Sequence, residues 1–267
     1  MATAATPATG TSKPTGTRGR FVWHELMTPD TAAAEQFYKE VIGWRTSKME
    51  GFDYTFWWAG EQMVGGLMAT IPEAAEMGAP PSWLAYIEVP DCDATVAQAE
   101  QLGAKVLMPA KTMEMAGRFA VLTDPQGAVF AVITSAQPLQ PENDPAQREF
   151  SWHELTTTDQ PAAISFYEQL FGWEKKGEFD MGDMGVYYLF GRDRFTYGGM
   201  MKQQPGGPGS YWLHYAHVDS ADAATERATK AGATVMVGPM EVPGGDRIAV
   251  LRDPQNAVFA VHSKPAA

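Results

Sequence analysis

The run Phe21–Met27 is dominated by aromatic and aliphatic residues and reads as a strand. A helix follows. Asp30 or Thr28 can cap it, Ala34, Phe37, Val41 and Ile42 form its apolar stripe, and Gly43 stops it. Phe52–Ala59 and Met63–Ala69 read as two strands around a turn, and Trp83–Val89 as another strand. Asp93–Leu102 is a second helix, with Val96, Ala99 and Leu102 inward and Gly103 at its end. Lys105–Met108, Phe119–Thr123 and Val129–Ile133 complete the strands. The last two are joined by Asp124-Pro125-Gln126-Gly127, a type I turn sequence.

The whole pattern is then repeated. Trp23-His24-Glu25-Leu26 returns as Trp152-His153-Glu154-Leu155, and 152 − 23 = 129. Phe37-Tyr38 returns as Phe166-Tyr167, Gly43-Trp44 as Gly172-Trp173, and Asp124-Pro125-Gln126 as Asp253-Pro254-Gln255. A shared offset over this length means two copies of one domain. The boundaries are a disordered tail at 1–20, copies at 21–134 and 150–263, and a proline-rich linker at 135–149. A transit-like peptide is the alternative reading of the tail. Each copy is strand–helix–strands twice over. The predicted architecture is therefore α+β: four βαβββ units, with curved sheets enclosing clefts and helices outside.

The chain has 267 residues, 45% of them apolar, enough for a core in each copy. Its net charge of −12 argues against nucleic acid and anionic membranes as partners. No apolar run is long enough to span a bilayer. Cys92 is the single cysteine, which fits a reducing, cytoplasmic setting and reads as a turn residue before a helix.

These features resemble the vicinal oxygen chelate superfamily: glyoxalase I, bleomycin-resistance proteins and extradiol dioxygenases. The carriers are the first strand, then Asp30…Phe37-Tyr38…Gly43-Trp44, Leu102-Gly103-Ala104 and Asp124-Pro125-Gln126-Gly127 before an apolar strand, all met twice. Trp-His-Glu-Leu, Gly117-Arg118 and Asp-Pro-Gln-Gly-Ala-Val-Phe are most similar to an actinobacterial antigen and "hydroxylase" branch of tandem proteins. The resemblance implies a small-molecule cleft, which in many members holds a divalent metal. It places metal-ligand positions on Trp23, Leu84 and Ala131, and on Trp152, Leu213 and Ala260. None of these side chains offers a lone pair to a cation, so no metal is expected there; a divalent metal on other ligands is the alternative.

If Trp23 faces the cleft, strand alternation turns Phe21, Glu25 and Met27 the same way and Val22, His24 and Leu26 towards the helix. The second copy gives Phe150, Trp152 and Glu154. The middle strands add Leu84, Tyr86 and Glu88, and Leu213, Tyr215 and His217; Phe56, Trp57, Trp58, Tyr187 and Tyr188 add aromatic wall. Such a surface suits a small organic ligand, although rings also simply fill cores. Glu25 and Glu154 are the acid–base candidates, because a carboxyl among rings titrates high unless it is paired. Arg118 and Arg247 are the available partners, and either pair could instead be structural. His24 and His153 read as packing histidines on the helix side. Gly65-Gly66 and Gly198-Gly199 read as strand kinks or bulges.

Two functions follow: a metal-free protein binding a partly aromatic or hydrophobic molecule, or an enzyme of lyase, isomerase or oxygenase type. A vestigial interaction protein is a third. The duplication makes the chain a monomeric pseudo-dimer or a building block of a homodimer. Clefts could form within one copy or between the two.

Overall fold

The computed structural model describes residues 16–76 and 78–265. Residues 1–15 of the expected tail lie outside them. The first copy runs β1 (Phe21–Thr28), α1 (Thr31–Val41), β2 (Arg45–Lys48), β3 (Tyr54–Ala59), β4 (Gln62–Ala69) and a short α2 (Pro72–Glu76). Then come β5 (Ser82–Glu88), α3 (Cys92–Gln101), β6 (Lys105–Met113), β7 (Gly117–Thr123) and β8 (Val129–Ser135). The second copy runs β9 (Phe150–Thr157), α4 (Gln160–Phe171), β10 (Glu174–Asp180), β11 (Val186–Arg192) and β12 (Phe195–Lys202). It ends with β13 (Tyr211–His217), α5 (Ala221–Lys230), β14 (Thr234–Glu241), β15 (Arg247–Arg252) and β16 (Val258–Ser263). Asp30, Asp91, Asp159 and Ser220 cap the long helices, each accepting from the backbone three residues on.

Each copy folds its two βαβββ units into one eight-stranded sheet, ordered β2-β3-β4-β1-β5-β8-β7-β6 in the first and β10-β11-β12-β9-β13-β16-β15-β14 in the second. The units join where β1 lies antiparallel to β5. Every cleft is thus completed inside one copy.

The two sheets stand back to back. One core joins Leu26, Phe37, Tyr38 and Trp57 of the first copy to Ala224, Leu251 and Phe259 of the second; another joins Ile87, Cys92 and Phe130 to Phe166, Tyr167 and Trp173. Helices α1 and α5 pack on one flank, α3 and α4 on the other, while strands β5 and β8 meet β13 and β16 directly at the centre. Alanines at 221, 224 and 228 let α5 approach closely.

Buried polar locks cross this interface. The Tyr38 hydroxyl donates to Asp253 Oδ2 at 2.9 Å and accepts from Trp83 Nε1 at 3.0 Å. Its twin, Tyr167, donates to Asp124 Oδ2 and accepts from Trp212 Nε1, both at 3.0 Å. The Asp of each turn also holds its own loop, Asp124 Oδ1 accepting from the amides of Gln126 and Ala128. Tyr38→Phe strands the Trp83 N–H and one Asp253 lone pair, so it is expected to cost about 1–3 kcal/mol in urea denaturation, and Tyr167→Phe the same.

Residues 16–20, expected as the end of a loose tail, instead form a turn against the second copy. Arg18 donates to Leu170 O at 2.6 Å, and Trp173 Nε1 donates to Gly19 O at 2.7 Å. The linker repeats this 129 residues later: Trp44 Nε1 donates to Arg148 O at 2.6 Å, with Arg148 at φ 71° where Gly19 has 83°. Among the described residues no helix is long and apolar enough to cross a membrane.

Candidate functional site

The concave face of the first sheet carries a chain of hydrogen bonds. Trp23 Nε1 donates to the Tyr54 hydroxyl at 3.0 Å, which donates to Glu25 Oε2 at 2.9 Å; the Tyr86 hydroxyl donates to Glu25 Oε1 at 3.0 Å. Strand pairing produces it, since β1 sets Trp23 opposite Tyr86 and Glu25 opposite Leu84. The second copy repeats it. Trp152 Nε1 donates to Tyr187 at 2.9 Å, Tyr187 donates to Glu154 Oε2 at 2.7 Å, and Tyr215 also bonds Glu154.

Room for the bridging tyrosine comes from glycine. A Cβ on Gly66 would sit 1.8 Å from the Tyr54 hydroxyl, and one on Gly199 would sit 2.1 Å from the Tyr187 ring. Gly65 and Gly66 pair in regular register with His24 and Glu25. On the other edge of the strand a register shift falls beside Gly65 and Gly198, where the pairing with β3 and β11 skips Val64 and Tyr197, so the expected bulge is present and the glycines also mark close approach.

Burial pushes both Glu25 and Glu154 above the usual carboxyl range, and the tyrosine hydroxyls only partly offset it. Lys111 also draws Glu25 back down in the first cleft. The same sites push the tyrosine hydroxyls up, Tyr54 and Tyr187 first by desolvation and then by the neighbouring carboxylate. The native chain thus binds more protons than the unfolded chain between the ordinary glutamate range and the raised values. The stabilising effect is full below the ordinary range and is lost as pH rises through the folded values. The buried histidines titrate in the opposite sense over the same window, so the carboxyls' share is read by difference: in urea denaturation from pH about 4 to about 8, the stability of the unmodified chain is expected to fall relative to that of Glu25→Gln with Glu154→Gln.

Other expected site residues go elsewhere. A bulge in β1 between Phe21 and Trp23 turns Phe21 to the back, where it stacks on His153 at 3.7 Å, and brings Val22 to the cleft side. Phe150 likewise stacks on His24 at 3.8 Å. Trp57 and Tyr188 enter the inter-copy cores, and Trp58 bonds Ser47 at the edge. Arg118 and Arg247 do not reach the glutamates: each makes a two-pronged pair with a helix-start aspartate, Asp93 or Asp222, with shortest contacts of 2.6 Å. Glu88 accepts from the amide and hydroxyl of Ser135, and His217 is taken up by the linker at Ala146 O and Gln147.

The positions that the resemblance assigns to metal ligands do converge. Leu84 and Ala131 share one cluster with Trp23, and Leu213 and Ala260 share the other with Trp152. An indole, an isobutyl and a methyl group supply no donor, so the family's metal does not fit on these positions.

A different gathering forms on the back faces, where sequence reasoning saw only packing. His24, His153 and His214 meet between the sheets, with ligand atoms all within 4.8 Å of one another. It is the one group of three or more such side chains among the described residues. Burial holds all three rings below the ordinary histidine range, His214 down to about 3. They are neutral imidazoles, able to ligate. His24 and His153, expected as packing histidines on the helix side, meet His214 through the back-to-back stacking of the sheets, which one copy's strand alternation does not show.

The family model for the Glyoxalase/Bleomycin resistance protein/Dioxygenase superfamily matches residues 20–132 and 149–261. The chain belongs to that superfamily, as a tandem of two domains. It is 33% identical over 254 residues to "Putative glyoxylase CFP32" of Mycobacterium tuberculosis, covering 91% of this chain and 94% of that one. It is 29% identical over 260 residues to "Anthracycline biosynthesis protein DauV" of Streptomyces sp. (strain C5), covering 91% and 92%. Among solved structures, the Mn(II)-bound glyoxalase from Novosphingobium aromaticivorans superposes with a TM-score of 0.62 at 16% identity, covering 94% of this chain and 83% of that one.

Proposed function

We propose that each copy binds a small, planar, partly aromatic organic molecule on its concave face, without a metal in the cleft. The observation that carries this reading is the Trp–Tyr–Glu–Tyr chain, built twice from the same parts. Trp23 and Trp152 supply apolar wall for stacking. Glu25 and Glu154, whose carboxyls burial pushes above their usual range and tyrosines anchor, offer a hydrogen-bonding edge to a polar group of the ligand. The relative named for anthracycline biosynthesis supports a planar ligand class. The two clefts are not equivalent. Lys111 Nζ lies 5.3 Å from the Phe119 ring in the first, where the second has Met240 and Ile248 (240 − 111 = 129, 248 − 119 = 129). The first cleft therefore suits a ligand with an anionic group.

Fluorescence titration with a hydroxyanthraquinone probe tests the reading. Saturable quenching with two sites per chain is expected. Failure of any planar aromatic probe to saturate would count against it.

A second reading has a specific observation in its favour: a buried carboxyl with a raised pKa, flanked by two tyrosines, suits a general acid or base. The protein would then be an acid–base enzyme of lyase, isomerase or oxygenase type. Turnover separates the two: an enzyme shows an activity that Glu25→Gln with Glu154→Gln abolishes, whereas a binding protein shows none and the same pair only weakens ligand affinity. The charge of −12 and the single cysteine support a cytoplasmic protein without nucleic-acid or membrane partners. Because each cleft is complete within one copy, a monomer suffices.

A further inference from the structure

The three histidines between the sheets lie on neither concave face, and the proposed ligand clefts make no use of them. Their arrangement carries information of its own. Imidazoles bound to one tetrahedral ion at about 2.0–2.1 Å, with each ring centre about 1.1 Å further out, have ring centres about 5.2 Å apart. The observed separations are 5.1 Å for His24–His153, 5.1 Å for His24–His214 and 5.3 Å for His153–His214. His153 Nδ1 and His214 Nδ1 stand 3.1 Å apart, against about 3.3 Å for two ligand atoms of one such ion.

Two further observations point to a missing partner. His24 Nε2 is buried with no hydrogen-bond partner, a costly state for a polar group; with His153 and His214 offering Nδ1, it is the third nitrogen left for an ion. The group also breaks the internal symmetry. His24 and His153 are twins, but the twin of His214 is Ala85. Beside Ala85 a crevice too narrow to admit water, bounded also by Phe21, Phe130 and Trp212, reaches His214. A third ligand is thus present on one side only, as a single ion near the axis requires.

We propose that His24, His153 and His214 bind one late first-row divalent ion, with Zn²⁺ or Co²⁺ as the probe, at the centre of the interface between the two copies. Three neutral nitrogens without thiolate or carboxylate favour such ions over Mg²⁺ or Ca²⁺. A three-histidine set leaves the fourth tetrahedral position to water or a small anion. The ion takes one ligand from the first copy and two from the second, so it ties the halves together.

The test is to unfold the full chain with a chelator, refold it with Co²⁺ or Zn²⁺, remove excess ion, and measure bound metal, visible absorption and melting temperature. One ion per chain, the absorption of tetrahedral nitrogen-ligated Co²⁺ and a raised melting temperature are expected. Loss of an outer partner of a ligand costs about 10–100-fold in metal affinity, so His214→Ala should cost at least about tenfold. Binding well below one equivalent by the unmodified chain would overturn the proposal, as would a His214→Ala chain that binds as tightly. The metal content and Co²⁺ spectrum of the unmodified chain decide the matter even if the variant fails to fold.

Discussion

Trp23→Ala is expected to weaken binding of a planar aromatic probe in the first cleft while leaving the second at full strength. Aromatic stacking is worth about 1–3 kcal/mol by alanine substitution, or roughly 5- to 150-fold in affinity. Trp23 is half-buried, with its ring 6.1 Å from Phe56. Its N–H donates to Tyr54, which in turn holds Glu25, so truncation loosens the polar edge as well as the wall. Trp152→Ala should do the same to the second cleft through Tyr187 and Glu154. Titration of each variant should therefore show one strong site per chain in place of two, and the double variant none. Two intact sites in Trp23→Ala would remove this ring from the ligand's surroundings.

Trp57→Ala should produce the largest loss of stability. Trp57 is fully buried, packs 5.3 Å from Trp44 and 5.9 Å from Tyr38, and donates through Nε1 to Gly66 O at 3.0 Å. Removing a buried tryptophan costs about 3–5 kcal/mol, which for a chain of this size lowers the melting temperature by roughly 6–20 °C. The Gly66 carbonyl loses its indole donor at the same time, next to the glycine that makes room for Tyr54. Calorimetry checks the stability, and the probe titration checks whether the first cleft loosens with it. A melting point within a degree or two of the unmodified chain would mean that the core closes around the loss.

Much of this architecture was legible because the chain states it twice. The offset of 129 exposed both copies, and strand alternation placed Trp23, Glu25 and Tyr86 on one face. The expected fold class, curved sheets over clefts in two superfamily domains, is the one observed. What was not legible has identifiable causes. Alternation fails across a bulge, which is why Phe21 and Phe150 face the back. Tyr54 escaped notice because its twin Tyr187 stands 133 residues away, as 187 − 54 = 133. The second copy has a β10–β11 hairpin four residues longer than β2–β3 and recovers the register before Trp212. The glycine pairs Gly65-Gly66 and Gly198-Gly199, also 133 apart, carried the signal that could have found it. Arg118 looked like a partner for Glu25 because both are charged and both recur, but Asp93 at the start of α3 is nearer in space. The histidine cluster depends on the contact between copies, which no pattern within a single strand encodes.

A crystal structure of the chain bound to the hydroxyanthraquinone probe tests the central claim most directly. The account predicts the probe's ring plane against Trp23 or Trp152, with an oxygen within hydrogen-bond distance of the adjacent glutamate or tyrosine and no ion between them. A probe seated elsewhere, or a metal held by protein atoms on either concave face, would contradict it.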